Sequence, residues 1–292
     1  MSDDDLILRG TAAIMALAPA MLFIGVVCFR RPWRDSRRLI WIAYGLGFCV
    51  AIPPAALVAI YAPLIASIGN FRVYAAAVAL IEAAAPEETA KYLIILFFVM
   101  RHEDLRRPAD AMILTICMAL GFATIENLYY VIGSEDWTDT AMLRAVTAVP
   151  MHATIGVVMG YYAAQILLHP ERHRRLLVCM WFWPFLLHGL YDYPVFAIYR
   201  LLEIQDSVPN SQLIEFQLIF AFAFLAAIAA ALAAIQAIVG QPGAMRPLAW
   251  QPPEGTRIPR WLLRTINRPR RNETPEPRLA EMTARRLSNT GQ

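Results

Sequence analysis

The chain alternates between long apolar segments and short polar connections. A membrane-spanning helix needs about 20 mostly apolar residues, and seven segments reach that length. They are residues 7–29, 39–61, 71–100, 109–132, 141–168, 176–200 and 211–239. Helices satisfy their own backbone hydrogen bonds in lipid. The pattern therefore predicts an all-α polytopic membrane protein with about seven transmembrane helices.

Charges in the connections predict the orientation of these helices. Arginines follow the first, third, fifth and seventh segments, whereas the opposite connections are acidic or uncharged. Positively charged loops stay on the cytoplasmic side, so we expect the N-terminus outside and the C-terminus inside. The acidic residues Asp3, Asp4 and Asp5 precede the first segment, where a cleavable signal peptide would be basic.

Composition agrees with a membrane domain followed by a tail. Hydrophobic residues make up 58% of the chain and charged residues 17%, a balance too apolar for an ordinary soluble domain. Residues 1–239 are the predicted transmembrane domain. Residues 240–292 are basic and rich in Pro and Arg, which predicts a mostly disordered cytoplasmic tail. Its stretch 258–266 could lie on the anionic inner leaflet, but a solvated tail is favoured.

The third segment contains an ionisable cluster. Lys91, the only lysine of the chain, follows Glu87 and Glu88 at spacings that place all three on a shared helix face. Charges at bilayer depth cost about 2.5–3.5 kcal/mol each on insertion scales, so the cluster indicates a functional site. A purely structural ion pair would leave one glutamate without a partner. Pro86 predicts a kinked or broken third helix, whose second half would begin at mid-membrane with its positive end near the glutamates.

Two further segments contribute carboxylates. Glu126, followed by Asn127, lies in the fourth segment with no cation nearby in sequence, so its partner must come from another helix or from water. In the sixth segment, His188 and Asp192 are four residues apart on one helix face. A carboxylate in that position can fix the tautomer of a histidine and raise its basicity.

The fifth segment carries His152 near mid-depth and Arg144 near its outer end, on the same predicted face. Gly156 and Gly160 follow in a spacing that allows another helix to approach closely. The four polar segments, residues 71–200, therefore form the predicted catalytic core.

The ordered motifs resemble the PrsW family of intramembrane proteases, distant relatives of the CAAX prenyl proteases and bacteriocin-immunity proteins. The motifs are Glu87-Glu88-x-x-Lys91, Gly121-Phe122-Ala123-x-x-Glu126-Asn127, His152 and His188-x-x-x-Asp192. The resemblance covers about residues 70–200. It implies a multi-pass protein of the bacterial inner (plasma) membrane that hydrolyses a peptide bond of a membrane-anchored protein substrate, such as an anti-sigma factor.

Site roles follow from the resemblance together with the chemistry of the side chains. Glu87 is the expected general base, and Glu88 is the second choice. Lys91 would hold one carboxylate ionised, while His152 and His188 would position the water or polarise the carbonyl. Asp192 would orient His188. Asn127 is a candidate donor to the oxyanion.

Alternatives remain open at this point. Zinc commonly takes three His and carboxylate ligands, which His152, His188 and Glu126 could supply, although a metal-free glutamate mechanism is favoured. A proton-coupled transporter or sensor would also place ionisable residues in the membrane, and an inactive scaffold could bind other membrane helices. No nucleic-acid partner is expected, because the arginines follow the positive-inside rule. The sequence does not indicate an oligomeric state.

Overall fold

The computed structural model describes residues 3–29, 37–205, 208–248 and 258–267, which are helical and contain no strand. The helices are α1 (Asp3–Phe29), α2 (Arg37–Val50), α3 (Ile52–Ala66), α4 (Phe71–Ala77), α5 (Ala85–Phe97), α6 (Pro108–Gly133), α7 (Trp137–Val146), α8 (Ala148–Leu168), α9 (His173–Ile204), α10 (Asn210–Val239) and α11 (Arg260–Ile266). A π-helical segment, Val78–Ala84, joins α4 to α5. Short 3-10 turns occupy Val99–Arg101 and Pro170–Arg172.

Several helices are suited to a membrane. In the described ranges, four helical stretches are long and apolar enough to span it: residues 37–66, 108–133, 137–168 and 210–239. The third and sixth predicted spans are helical too, and α1 contains an apolar stretch, Gly10–Val26. The all-α membrane fold is therefore confirmed. The number of seven spans and their orientation stay predictions.

The third predicted span is irregular, but it is not broken. Its backbone stays helical from Phe71 to Phe97. The Ala85 amide donates to the carbonyl of Leu80, five residues back, so the helix is widened directly before Pro86. Pro86 then lies in the first turn of α5, where a missing amide proton is tolerated. The expected half-helix with a free N-terminus is therefore wrong, and its dipole does not act on the glutamates.

Helix α6 lies at the centre of the packing, in contact with α1, α2 and α8. The predicted close approach of α8 is confirmed at Gly156 and Gly160. A Cβ on Gly156 would lie 2.8 Å from the Cβ of Ala119, and one on Gly160 would lie 2.7 Å from the Cα of Met112. Both distances are shorter than carbon atoms pack, so only glycine lets α8 come this near to α6.

Parts of the predicted tail are ordered against the end of the bundle where α6 begins. The Ala109 amide donates to the carbonyl of Ala244 at 3.0 Å, and the Leu248 amide donates to that of Arg106 at 2.9 Å. Leu262 of α11 is buried in the hydrophobic core. Residues 260–266 therefore pack on the protein and are not a solvated tail, whereas their contact with the inner leaflet stays a prediction. The disorder expected for the rest of 240–292, and the division at residue 239, stay predictions.

Candidate active site

The polar residues singled out in the sequence converge inside the bundle. Helix α5 carries the double glutamate and the lysine, α6 carries a glutamate and an asparagine, α8 carries one histidine, and α9 carries the second histidine and an aspartate. These residues are Glu87, Glu88, Lys91, Glu126, Asn127, His152, His188 and Asp192. Contacts between side chains connect all eight of them.

Lys91 is at the centre of this network and is only 1% exposed. Its Nζ lies 2.7 Å from Glu88 Oε1, 3.5 Å from Glu87 Oε2 and 3.3 Å from His152 Nδ1. The ammonium also lies 4.0 Å from the centroid of the Phe122 ring, where the ring quadrupole attracts a cation. The single lysine therefore bridges both glutamates of its own helix to a histidine of α8.

His188 is fixed at both ring nitrogens. Its Nδ1 lies 2.8 Å from Glu88 Oε1, the oxygen that also binds Lys91. An ionised carboxylate only accepts hydrogen bonds, so Nδ1 donates to it. The Nε2 atom lies 3.2 Å from Asp192 Oδ2 and 3.9 Å from Glu87 Oε2. The structure thus shows the pairing with Asp192 and adds Glu88 as a second partner.

Close packing of α9 on the π segment brings His188 to Glu88. A Cβ on the neighbouring Gly189 would overlap the end of the Leu80 side chain in that segment, so α9 and the π segment pack closely here. Two turns away, the Trp181 indole donates to the Thr89 hydroxyl at 2.9 Å. This second contact between α9 and α5 lies beside the double glutamate and was not foreseen from the sequence.

Glu126 has partners on two other helices, as expected because no cation lies near it in the sequence. Its Oε1 accepts from the Nη2 of Arg144 on α7 at 2.7 Å, and its Oε2 lies 2.5 Å from His152 Nε2. The sequence placed Arg144 near the outer end of the fifth span but assigned it no role. In the structure it contacts the site directly.

The neighbours of His152 determine which of its ring nitrogens carries a proton. The ammonium of Lys91 can only donate, so His152 Nδ1 accepts. The proton of a neutral ring is then on Nε2, facing Glu126. A metal bound at Nε2 would need that proton to move and the contact with Lys91 to change.

Asn127 contacts Arg144 and α1 rather than Glu126. Its Oδ1 accepts from Arg144 Nε at 2.7 Å, its Nδ2 donates to the carbonyl of Ala16 at 3.5 Å, and the residue is buried. Both groups of the amide therefore have partners within the protein, and the expected role as an oxyanion donor stays a prediction.

The donor set fits a metal ion such as zinc, which commonly takes three His or carboxylate ligands. Ligand atoms lie within 4.8 Å of one another in two groups: Glu87, Glu126 and His152, and Glu87, Glu88 and His188. The buried atoms Glu87 Oε2 and Glu88 Oε2 have no hydrogen-bond donor within the described part of the chain. The ligand set predicted from the sequence, His152, His188 and Glu126, is divided between the two groups, and Glu87 belongs to both.

Known proteins are similar to this chain in sequence. A sequence model described as PrsW family intramembrane metalloprotease matches residues 35–231, about two thirds of the chain. The protein named Protease PrsW from Geobacillus kaustophilus is 35% identical over 122 residues, which are 42% of this chain and 53% of the relative. That from Shouchella clausii is 30% identical over 181 residues, which are 62% of this chain and 81% of the relative. That from Bacillus subtilis is 34% identical over 113 residues, or 38% and 51% of the two chains.

Except for the Shouchella protein, this chain spans about half the length of the relatives it matches here. No solved structure matches the chain.

Proposed function

Because the chain belongs to the PrsW family of intramembrane metalloproteases, we propose that it hydrolyses a peptide bond in a membrane-anchored protein. The observation that carries this proposal is the buried network in which side chains from four helices surround Glu87. Ionisable groups are energetically costly at membrane depth, so those that are present usually mark a functional site. A carboxylate that can take a proton and a histidine that can donate a hydrogen bond are groups that general acid–base hydrolysis uses.

Glu87 is better suited than Glu88 to be the general base. One oxygen of Glu88 already binds both Lys91 and His188, and the residue is fully buried. The Oε2 atoms of both residues have no hydrogen-bond donor in the described ranges, but the Glu87 side chain is 15% exposed and that of Glu88 is 0% exposed. Glu87 can therefore receive a water molecule and its proton, whereas Glu88 orients Lys91 and His188.

The reaction we propose has two proton transfers. Glu87 takes a proton from water while the water oxygen attacks the scissile carbonyl carbon, which gives a tetrahedral oxyanion. His188 is the donor nearest to Glu87 on α9, with Nε2 3.9 Å from Glu87 Oε2, and would stabilise the negative charge. The carboxylic acid of Glu87 then protonates the departing amine as the C–N bond breaks.

A metal would be held by residues already in the site. The candidates are Glu87 with Glu126 and His152, or Glu87 with Glu88 and His188. When bound, zinc would polarise the scissile carbonyl and the attacking water. The two versions are distinguished by exhaustive chelation followed by elemental analysis. Full activity without bound metal would exclude the zinc version, and loss of activity restored by Zn²⁺ would exclude the metal-free one.

We propose that the substrate enters from the outer side or laterally as an unwound segment. Tyr129 and Tyr130 follow Glu126 along α6 and are 75% and 41% exposed, so this end of the site is open to another chain. Resemblance to the family points to a single-span regulatory protein of the anti-sigma-factor type as the substrate.

The proposal is tested with purified full-length protein in liposomes that contain a single-span protein substrate. Glu87→Gln and His188→Ala should each lower cleavage by about 100-fold or more, the contribution typical of a general acid or base. Glu215→Gln is the matched control, since it removes a carboxylate from the half-exposed pair with Arg72. Cleavage at the wild-type rate by both site variants would contradict the proposal.

A further inference from the structure

Arg144 contacts the active site from a helix that carries none of the recognised motifs. It lies on α7, which ends at Val146, and the backbone turns at Thr147 before α8 begins. The side chain is only 16% exposed. Its Nη2 donates to Glu126 Oε1 at 2.7 Å and its Nε donates to Asn127 Oδ1 at 2.7 Å. Its guanidinium carbon lies 4.2 Å from the centroid of the Tyr130 ring.

We propose that Arg144 is a positioning residue that holds Glu126, and through Glu126 the ring of His152, in the arrangement used for catalysis. The use of that arrangement rests on the function proposed above, whereas the positioning itself rests on contacts alone. Helix α7 then belongs to the active site although it supplies no catalytic group.

The contacts form a series in which each group fixes the next. One oxygen of Glu126 is bound by Arg144, which leaves the other oxygen directed at His152 Nε2. The opposite ring nitrogen of His152 meets Lys91. Without Arg144, the Glu126 carboxylate would lose the cation that compensates its burial and would be free to rotate. The orientation of His152 would then no longer be set from this side.

The geometry requires an arginine in particular. Two different nitrogens of one planar group donate to two neighbouring side chains, Glu126 and Asn127. A lysine carries a single ammonium on a flexible stem and cannot hold both in one plane. The ring of Tyr130 beneath the guanidinium favours the same planar cation.

The chain offers a matched control for this interaction. Arg72 on α4 donates to both oxygens of Glu215 on α10, at 2.8 and 3.0 Å. That pair links two helices with the same chemistry, but its side chains are 42% and 43% exposed. It is not connected to the site by any contact described above. Loss of Arg72 therefore shows what the loss of an arginine–glutamate pair does outside the site.

The first experiment measures cleavage in liposomes by Arg144→Ala, Arg144→Lys, Glu126→Gln and the double variant Arg144→Ala/Glu126→Gln. Misplacing a catalytic group by about 1 Å costs about 100-fold, so Arg144→Ala should lower kcat by about that factor with little change in KM. Arg144→Lys should recover part of the loss, and Arg72→Ala should cleave normally. Effects of residues that act as a unit are non-additive. The double variant should therefore cleave no more slowly than the less active of the two single variants.

A second readout does not depend on cleavage. The ring nitrogens of the full-length, detergent-solubilised protein are observed by NMR with ¹⁵N-labelled histidine, and the His152 signals are assigned by their loss in His152→Gln. Arg144→Ala should shift both His152 ring signals, and Arg72→Ala should shift neither.

The outcomes separate the two proposals. If the wild-type protein cleaves nothing but Arg144→Ala shifts the His152 signals, the proposed function fails and the positioning role stands. If the wild-type protein cleaves and Arg144→Ala leaves the His152 signals or the rate unchanged, the positioning role is overturned and the function stands. The positioning role would also be overturned if the fold-decrease in kcat of the double variant equalled the product of the two single fold-decreases.

Discussion

Replacing Lys91 by methionine tests whether the lysine neutralises the double glutamate. The substitution keeps a long side chain but removes the cation whose Nζ lies 2.7 Å from Glu88 Oε1. At that separation the attraction is about 6 kcal/mol for an effective dielectric constant of about 20. Removing one partner of a buried pair typically costs about 3–5 kcal/mol, because the other charge stays buried and uncompensated. We therefore expect Lys91→Met to lower the free energy of unfolding by about 3–5 kcal/mol and to abolish most cleavage.

The assay is unfolding of the detergent-solubilised protein by SDS, compared across Lys91→Met, Glu88→Gln and the double variant. If the lysine is present to balance Glu88, the double variant should recover at least half of the stability lost in Lys91→Met, because the buried charge has gone as well. It should not recover cleavage, since His188 then loses the carboxylate that fixes its Nδ1. Lys91→Arg keeps the charge and should retain part of the activity.

Two results would refute this reasoning. One is unfolding of Lys91→Met at the same SDS fraction as the wild type, and the other is failure of Glu88→Gln to restore stability in the Lys91→Met background. Either result would mean that the lysine is not there to neutralise Glu88, and a direct role of its ammonium in the reaction would have to be considered.

Further predictions concern the packing and the opening of the site. Gly189→Leu should lower cleavage by about 100-fold by moving α9 away from the π segment, whereas Gly133→Ala, where a Cβ has open space, should have no effect on the rate. Asp192→Asn should lower kcat by about 10–100-fold, as loss of a partner that orients a functional histidine does elsewhere, and a steady-state assay should show KM nearly unchanged. A cysteine in Tyr130→Cys should react with a membrane-impermeant maleimide added from outside, and labelling only from the cytoplasmic side would reverse the predicted orientation.

Much of the site could be predicted because its chemistry follows helical spacing. Glu87 and Glu88 lie four and three residues before Lys91, and both contacts are present. His188 and Asp192 also meet as their spacing requires. Such contacts depend on one helix alone, so periodicity is sufficient to predict them.

Contacts between helices could be predicted only in part. That Glu126 needs a partner from elsewhere was clear from its apolar surroundings, but its identity depends on the backbone turn at Thr147 that lets Arg144 and His152 reach it together. One signal was available: Arg144 lies at the outer end of the fifth predicted span, beside an acidic connection, on the side where positive charge is disfavoured. An arginine in such a place needs a local carboxylate.

The π-helical backbone of Val78–Ala84 could not be predicted from the sequence alone. Pro86 indicates a disturbance, and a break is the simplest expectation. The structure instead has a π segment, and Leu80 within it packs against Gly189 of another helix. The docking of α11 depends on tertiary contacts. Leu262 and Ile266 are apolar residues among arginines, which would suit a membrane surface equally well.

The π segment has a consequence for how the site tolerates changes of length. A turn closed by bonds to the fifth residue holds one residue more than an α-helical turn, so Val78–Ala84 contains in effect one built-in insertion. Deleting one residue together with the bulge would leave the direction of α5 nearly unchanged, whereas winding all seven residues as regular α-helix would rotate α5 relative to α4 by about 100°. Glu87 and Glu88 would then face away from His188, although every side chain of the motif would still be present. The register of this one helix is thus as much a requirement of the site as the identity of its residues.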